Sequence, residues 1–96
     1  MSLVALSVDV YCDNTYDKQP YYRLYVDGEL LTERAWIWHT YETYIQENME
    51  VDIDSGKHHV QIDNCGSKTM FDLRNLIING IPFHQVNSPQ DLGFSI

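Results

Sequence analysis

Four oxygen-bearing side chains in residues 60–80 could bind a hard cation. This stretch predicts two strands joined by a polar loop, with Asp63 and Asn64 ending the first strand and Asp72 and Asn75 in the second. If the strands form a hairpin, the four side chains meet at one end, and carboxylate and amide oxygens are ligands that Ca²⁺ takes. We therefore predict a calcium site at these residues. The alternative is that they only cap strands and turns.

A group of aromatic residues, Trp36, Trp38 and Tyr41, could supply a second kind of chemistry. Aromatic ring faces pack against the apolar faces of pyranose rings, so these residues are candidates for a sugar-stacking platform. Aromatic side chains also bury large areas, and both tryptophans could instead fill the core or a subunit contact.

The charge of the chain limits its partners. The 96 residues carry 14 acidic and 6 basic side chains, a formal net charge of −8. Nucleic-acid backbones and anionic membrane surfaces would repel such a protein, so we expect it to bind neither. No apolar run approaches the length of a membrane helix, and no signal peptide is visible.

Residues for catalysis are not arranged in a recognisable pattern. The chain has no G-x-S-x-G segment and no phosphate-binding glycine-rich loop, and we predict that it is not an enzyme. His58 and His59 are adjacent on a predicted strand, so they should point to opposite faces and not share one site. Cys12 and Cys65 do not have the spacing of a zinc site, and we expect thiols rather than a disulfide.

The elements that must position these residues are strands. Residues 3–12 alternate between an apolar face and a second face that carries Ala5, Ser7, Asp9 and Tyr11. Six to seven such strands, about ten residues apart and separated by glycine-containing turns, are typical of an antiparallel β-sandwich. We predict one all-β domain over residues 1–96.

Two dipeptides that end in glycine and two breaks in the apolar alternation refine this prediction. Asp27–Gly28 and Asn79–Gly80 predict two-residue hairpin turns, because both central residues of such turns need a positive φ. The alternation fails at residues 32–34, which predicts a β-bulge or a strand end there, and again at Arg74–Asn75, which predicts a second bulge.

The end of the chain predicts self-association. Residues 81–86 predict a last strand, and Pro82 makes it an edge strand. In the tail that follows, large apolar residues alternate at Leu92, Phe94 and Ile96. The tail could pack on its own sheet or on the sheet edge of a neighbour, and we predict a homo-oligomer.

Three segments of the chain carry the pattern of a known family. They are YVDG at Tyr25–Gly28, GKHHVQIDN at Gly56–Asn64 and FDLRNLIING at Phe71–Gly80. They resemble the small calcium-dependent xylan-binding modules, in which a strand G-x-H-x-V-x-F-x-N-D leads through a loop into D-x-R-N-L-x-V-x-x-I-x-x-N-G. The chain has Asp-Asn where that pattern has Asn-Asp. The resemblance implies a jelly-roll sandwich that binds calcium and carbohydrate.

The complete sequence also resembles small proteins encoded by tailed phages of marine cyanobacteria. This second resemblance implies a location in a virion, with other virion proteins as partners. The lack of a visible signal peptide leaves the cytoplasm as the alternative location, and the first resemblance gives carbohydrate as the alternative partner. We therefore expect a non-catalytic recognition module, with calcium-dependent carbohydrate binding as its activity. The alternative is a purely structural virion or assembly component without a ligand.

Overall fold

A computed structural model describes residues 2–12, 21–36, 44–65 and 70–96. These residues form two antiparallel sheets that pack as a sandwich, as predicted, and the jelly-roll topology stays a prediction. The strands are β1 Ser2–Cys12, β2 Tyr21–Val26, β3 Glu29–Ala35, β4 Tyr44–Ile53, β5 Lys57–Asp63, β6 Phe71–Ile78, β7 Ile81–Phe83, β8 Gln85–Ser88 and β9 Asp91–Ser95. One sheet has the order β4-β1-β6-β7 and the other the order β3-β2-β5-β9-β8.

The core lies between the two sheets and follows the apolar alternation of the strands. In β1 the apolar face of the predicted pattern is buried, so Ala5, Ser7, Asp9 and Tyr11 lie on the outer face of the four-stranded sheet. The five-stranded sheet contributes side chains such as Tyr22, Leu24 and Val60 from the opposite side. No helix capable of crossing a membrane, by length and apolar character, occurs in the described parts of the chain.

Both predicted hairpin turns are confirmed. Asp27 and Gly28 have φ values of 51° and 83°, and the register joins the strand residues on either side of them. Asn79 and Gly80 have φ values of 51° and 80°. Positive φ at both central residues is the geometry of a type I′ turn, which glycine and the short polar residues tolerate best.

Both predicted bulges are present, one of them displaced. The register between β2 and β3 shifts at Leu31, just before the predicted position. The second shift occurs where predicted: Ser7 pairs with Ile77 but Asp9 pairs with Arg74, so two residues of β6 lie opposite one residue of β1. Asn75 is in this bulge with a φ of 57°. A bulge residue in the left-handed region re-aims its side chain.

Two predictions about strand placement are wrong, and the structure decides between two alternatives for a third segment. β5 and β6 lie in different sheets and do not form a hairpin, because each pairs with other strands. Residues 81–86 form parts of two strands, β7 at the edge of one sheet and β8 at the edge of the other. Of the two alternatives for the apolar tail, packing on its own sheet is the one observed: the tail becomes β9, an inner strand between β5 and β8, with Leu92 and Phe94 buried in the chain's own core.

Candidate functional site

The structure does not bring the four predicted calcium ligands together. Because β5 and β6 lie in opposite sheets, Asp63 and Asp72 lie on opposite outer faces of the sandwich. Asp63 accepts a hydrogen bond from the backbone of Cys65 at 3.2 Å, and Asn64 lines a cavity of about 220 Å³ with it. Within the described residues, no group of three or more histidine, cysteine or acidic side chains could hold a metal ion. Calcium binding therefore remains a prediction, and these four residues do not form a common site for the ion.

Of the three predicted aromatic residues, one lies in the core and the other two lie outside the described residues. Trp36 is 1% exposed, and its ring packs against Phe71 with 5.9 Å between the centroids. A ring buried in this way offers no face to a sugar, so the core alternative applies to Trp36. Trp38 and Tyr41 lie outside the described residues.

An ion pair with one buried partner, Glu47, and one half-exposed partner, Arg34, joins β3 of one sheet to β4 of the other. Glu47 is 3% exposed, and its carboxylate accepts a hydrogen bond from Arg34 Nε at 2.7 Å. Burial raises the pKa of the neighbouring Tyr22 hydroxyl, and the charge of Glu47 raises it further. The pair stabilises the sandwich rather than offering a ligand site, because Glu47 is enclosed by the core.

The two adjacent histidines contact one carboxylate, His58 through its ring and His59 through its backbone N–H. The rings themselves lie against Phe94 and Asp91, respectively. Asp27 accepts a hydrogen bond from His58 Nδ1 at 2.5 Å through one oxygen and from the backbone N–H of His59 at 3.1 Å through the other. His58 Nε2 lies 2.6 Å from the carbonyl oxygen of Asp54. The hydrogen bond to Asp27 raises the pKa of His58. His59 Nδ1 lies 3.2 Å from Asp91. This network fastens the β2–β3 turn to β5 and β9.

The best candidate site is a trough on the outer face of the four-stranded sheet. The depression has a volume of about 390 Å³ and includes Ala5 and Ser7 of β1, flanked by Asn48 and Glu50 of β4 and by Ile77 of β6. Because β1 is an inner strand with small outward side chains here, its two neighbours form higher walls. An extended ligand could therefore lie along β1.

A row of aromatic and charged side chains lies farther along β1 on the same face. Tyr11 stacks on Tyr44 of β4, with centroids 5.1 Å apart and planes inclined by 26°. From the other side, the guanidinium of Arg74 in β6 lies 4.2 Å from the centre of the Tyr11 ring and contacts Asp72 at 3.4 Å. Tyr44 is 47% exposed, so the row presents aromatic surface to solvent.

Asp9 lies between the trough and this row and is buried although it points outward. Its side chain is 6% exposed, and one oxygen, Oδ2, accepts a hydrogen bond from Asn75 Nδ2 at 2.9 Å. The other oxygen, Oδ1, is buried without a hydrogen-bond partner among the described residues. Burying a carboxylate oxygen without a hydrogen-bond partner is costly. A role in binding a ligand explains this cost better than a structural role does.

Sequence reasoning placed Asp9 and Tyr11 on the outer face but did not select them as site residues. The alternation of β1 was the available signal, because it puts a carboxylate and an aromatic ring on the same face. The broken alternation at Arg74–Asn75 was the second signal, since it indicated the bulge that directs Asn75 to Asp9. What the alternation could not show was the burial of Asp9.

Comparison with known proteins gives no relative for this chain: no family model matches it, and neither does any curated protein or solved structure.

Proposed function

We propose that this protein is a non-catalytic recognition module that binds a carbohydrate chain in the trough and on the tyrosine row. The observation that carries the proposal is the continuous outer face of β1. Small residues there form a depression that leads past a buried carboxylate to two stacked aromatic rings, of which Tyr44 is exposed. Carbohydrate binding is also what the resemblance to xylan-binding modules implies.

The dimensions of this face suit an extended oligosaccharide. Ala5 and Tyr11 are six residues apart on one strand, which corresponds to about 20 Å at roughly 3.4 Å per residue. The exposed Tyr44 ring offers an apolar surface to a pyranose ring, while Asn48, Asp72 and Arg74 provide hydrogen-bonding groups along the same path. Ligand sites commonly combine apolar contact area with a few placed polar groups.

The open form of the trough supports binding without catalysis. General acid–base chemistry needs groups held close to the reacting atoms, and most such sites lie in concave pockets that enclose much of the ligand. The outer face of a sheet leaves one side of any ligand in water. The carboxylates on this face are therefore better suited to accept hydrogen bonds from a ligand than to transfer protons.

A glycan array tests the proposal, followed by titration calorimetry on any hit, both with calcium and with a chelator. Tyr44→Ala should weaken binding about tenfold, because a stacked aromatic contact contributes about 1.5 kcal/mol. Tyr21→Ala is the matched control, since Tyr21 is similarly exposed at 41% but lies on the five-stranded sheet. A blank array, or equal affinities of the two variants, would contradict the proposal.

Exposed apolar side chains favour a second candidate, a structural component of a virion or other assembly. Leu3, Ile81 and Val86 are 69%, 60% and 64% exposed. Large apolar groups on a surface are common at protein interfaces. In this case the partners are copies of the chain or other virion proteins, and the glycan array stays blank while the protein forms defined complexes.

A further inference from the structure

We propose that Asp9 is the polar anchor of the trough and that the glycan bound there donates a hydroxyl group to it and carries no acidic groups. This inference rests on the proposed function and adds the chemical class of the ligand. Nothing in the sequence patterns marked Asp9 as a ligand-binding residue.

The unpartnered oxygen of Asp9 requires a donor. An ionised carboxylate only accepts hydrogen bonds, and Asn75 supplies a donor to Oδ2 alone. Asn75 is held by the β6 bulge at a φ of 57°, so the orientation of the carboxylate is set by the backbone. Arg74, which is in register with Asp9 on β6, is directed to Tyr11 and Asp72 instead.

Because this oxygen is buried, a ligand reaches it only when side chains on the flanking strands move. The residues in register with Asp9 on those strands are Gln46 and Arg74. Gln46 is exposed and can change its rotamer at small cost, whereas moving Arg74 gives up its contacts with Tyr11 and Asp72. A hydroxyl group of a sugar seated in the trough would then replace the missing partner of Oδ1.

The charges around the trough select against acidic sugars. Glu50 lines the trough, and Asp72 lies beyond Asp9 at the other end. These carboxylates lie on one face of a protein with a net charge of −8, so a uronic acid or sulfated sugar would meet repulsion along its length. A bare metal ion is a poorer match, because the described residues contain no group of three or more metal-ligating side chains.

Calorimetry on the unmodified protein is the first test. The probes are three neutral oligosaccharides (xylohexaose, cellohexaose and mannohexaose) and one acidic oligosaccharide, hexagalacturonic acid. We expect at least one neutral probe to bind and the acidic probe to bind at least tenfold more weakly. Equal or tighter binding of the acidic probe would overturn the inference while leaving the proposed function in place.

The second test compares Asp9→Asn with Asp52→Asn, which removes the same charge from the same face outside the trough. Asp9→Asn should weaken the neutral probe at least tenfold, because hydrogen bonds to charged groups are the stronger class. Asp52→Asn should change it less than twofold. The melting temperature of Asp9→Asn should not fall, since the substitution removes a buried charge that has one unpartnered oxygen.

The outcomes separate the two proposals. If Tyr44→Ala loses binding but Asp9→Asn does not, an ordered water satisfies Asp9 and the inference is wrong. If no probe binds the unmodified protein, the proposed function itself fails. If Asp9→Asn does not fold, the preference between neutral and acidic probes still decides the inference, because it needs no variant.

Discussion

Replacing Asp27 with asparagine isolates the charge of the Asp27–His58 hydrogen bond. Asp27 is in the β2–β3 turn at a φ of 51°, a conformation that asparagine also adopts readily, so the turn should persist. His58 has two acceptors, the Asp27 carboxylate and the Asp54 carbonyl oxygen. A neutral imidazole can donate to only one of them, whereas the imidazolium can donate to both.

The magnitude follows from the change in hydrogen-bond class. A bond to a charged group contributes about 1.5–3 kcal/mol and a neutral one about 0.5–1.5 kcal/mol. Asp27 is 40% exposed, so water reduces the difference, and we expect Asp27→Asn to lower the free energy of unfolding by about 1 kcal/mol in mild acid. Because His58 is only 12% exposed, water screens its side of the hydrogen bond little.

The pH dependence gives this prediction its sign. The hydrogen bond to Asp27 raises the pKa of His58 above its ordinary value of 6.5. The stabilisation is therefore fully present below pH 6.5 and is lost as the pH rises through the folded-state pKa. The difference between wild type and Asp27→Asn should be largest near about pH 5.5 and smaller at about pH 9, where only the loss of charge at the hydrogen bond from the His59 backbone N–H remains.

Urea unfolding followed by tryptophan fluorescence at these two pH values measures the effect. Glu29→Gln is the control, because Glu29 is an exposed carboxylate on the same hairpin. Its effect should be small at both pH values. A loss of stability in Asp27→Asn that is independent of pH, or larger in alkali, would refute the assignment of the charge to His58.

Three further predictions concern the ion pairs, calcium and assembly. Arg34→Ala should cost about 2 kcal/mol in urea, because Glu47 is buried and loses its charged donor, although Arg34 itself is 51% exposed. Arg23→Ala should cost less than about 1 kcal/mol because the side chains of the Arg23–Glu33 pair are 40% and 46% exposed. Equal costs would contradict this account. If the native chain binds calcium, millimolar calcium should raise the melting temperature by several degrees relative to chelator, and superimposable melts would remove calcium from the description. Sedimentation at tens of micromolar should give a mass above the 11.2 kDa monomer that falls in Val86→Asp, while a monomeric wild type would exclude self-association under these conditions.

The sequence by itself determined the local features of this protein. The type I′ turns were predictable because the positive φ values depend on the two residues in the turn, such as Asn79 and Gly80. The outer face of β1 was predictable because side-chain direction alternates along any strand. The bulge at Asn75 was visible as a break in that alternation.

Only the tertiary structure decided which of these elements meet. Sheet membership depends on long-range pairing, which is why β5 and β6 could look like one hairpin although they pair in different sheets. The same reason explains why the apolar tail, including Leu92 and Phe94, lies inside the chain's own core. His58 and His59 meet at Asp27 because a turn from another part of the chain lies beside them. The burial of Asp9 is likewise produced by neighbours on two other strands. A single strand's sequence contains no information about those neighbours, so the candidate site could be recognised only after folding had assembled it.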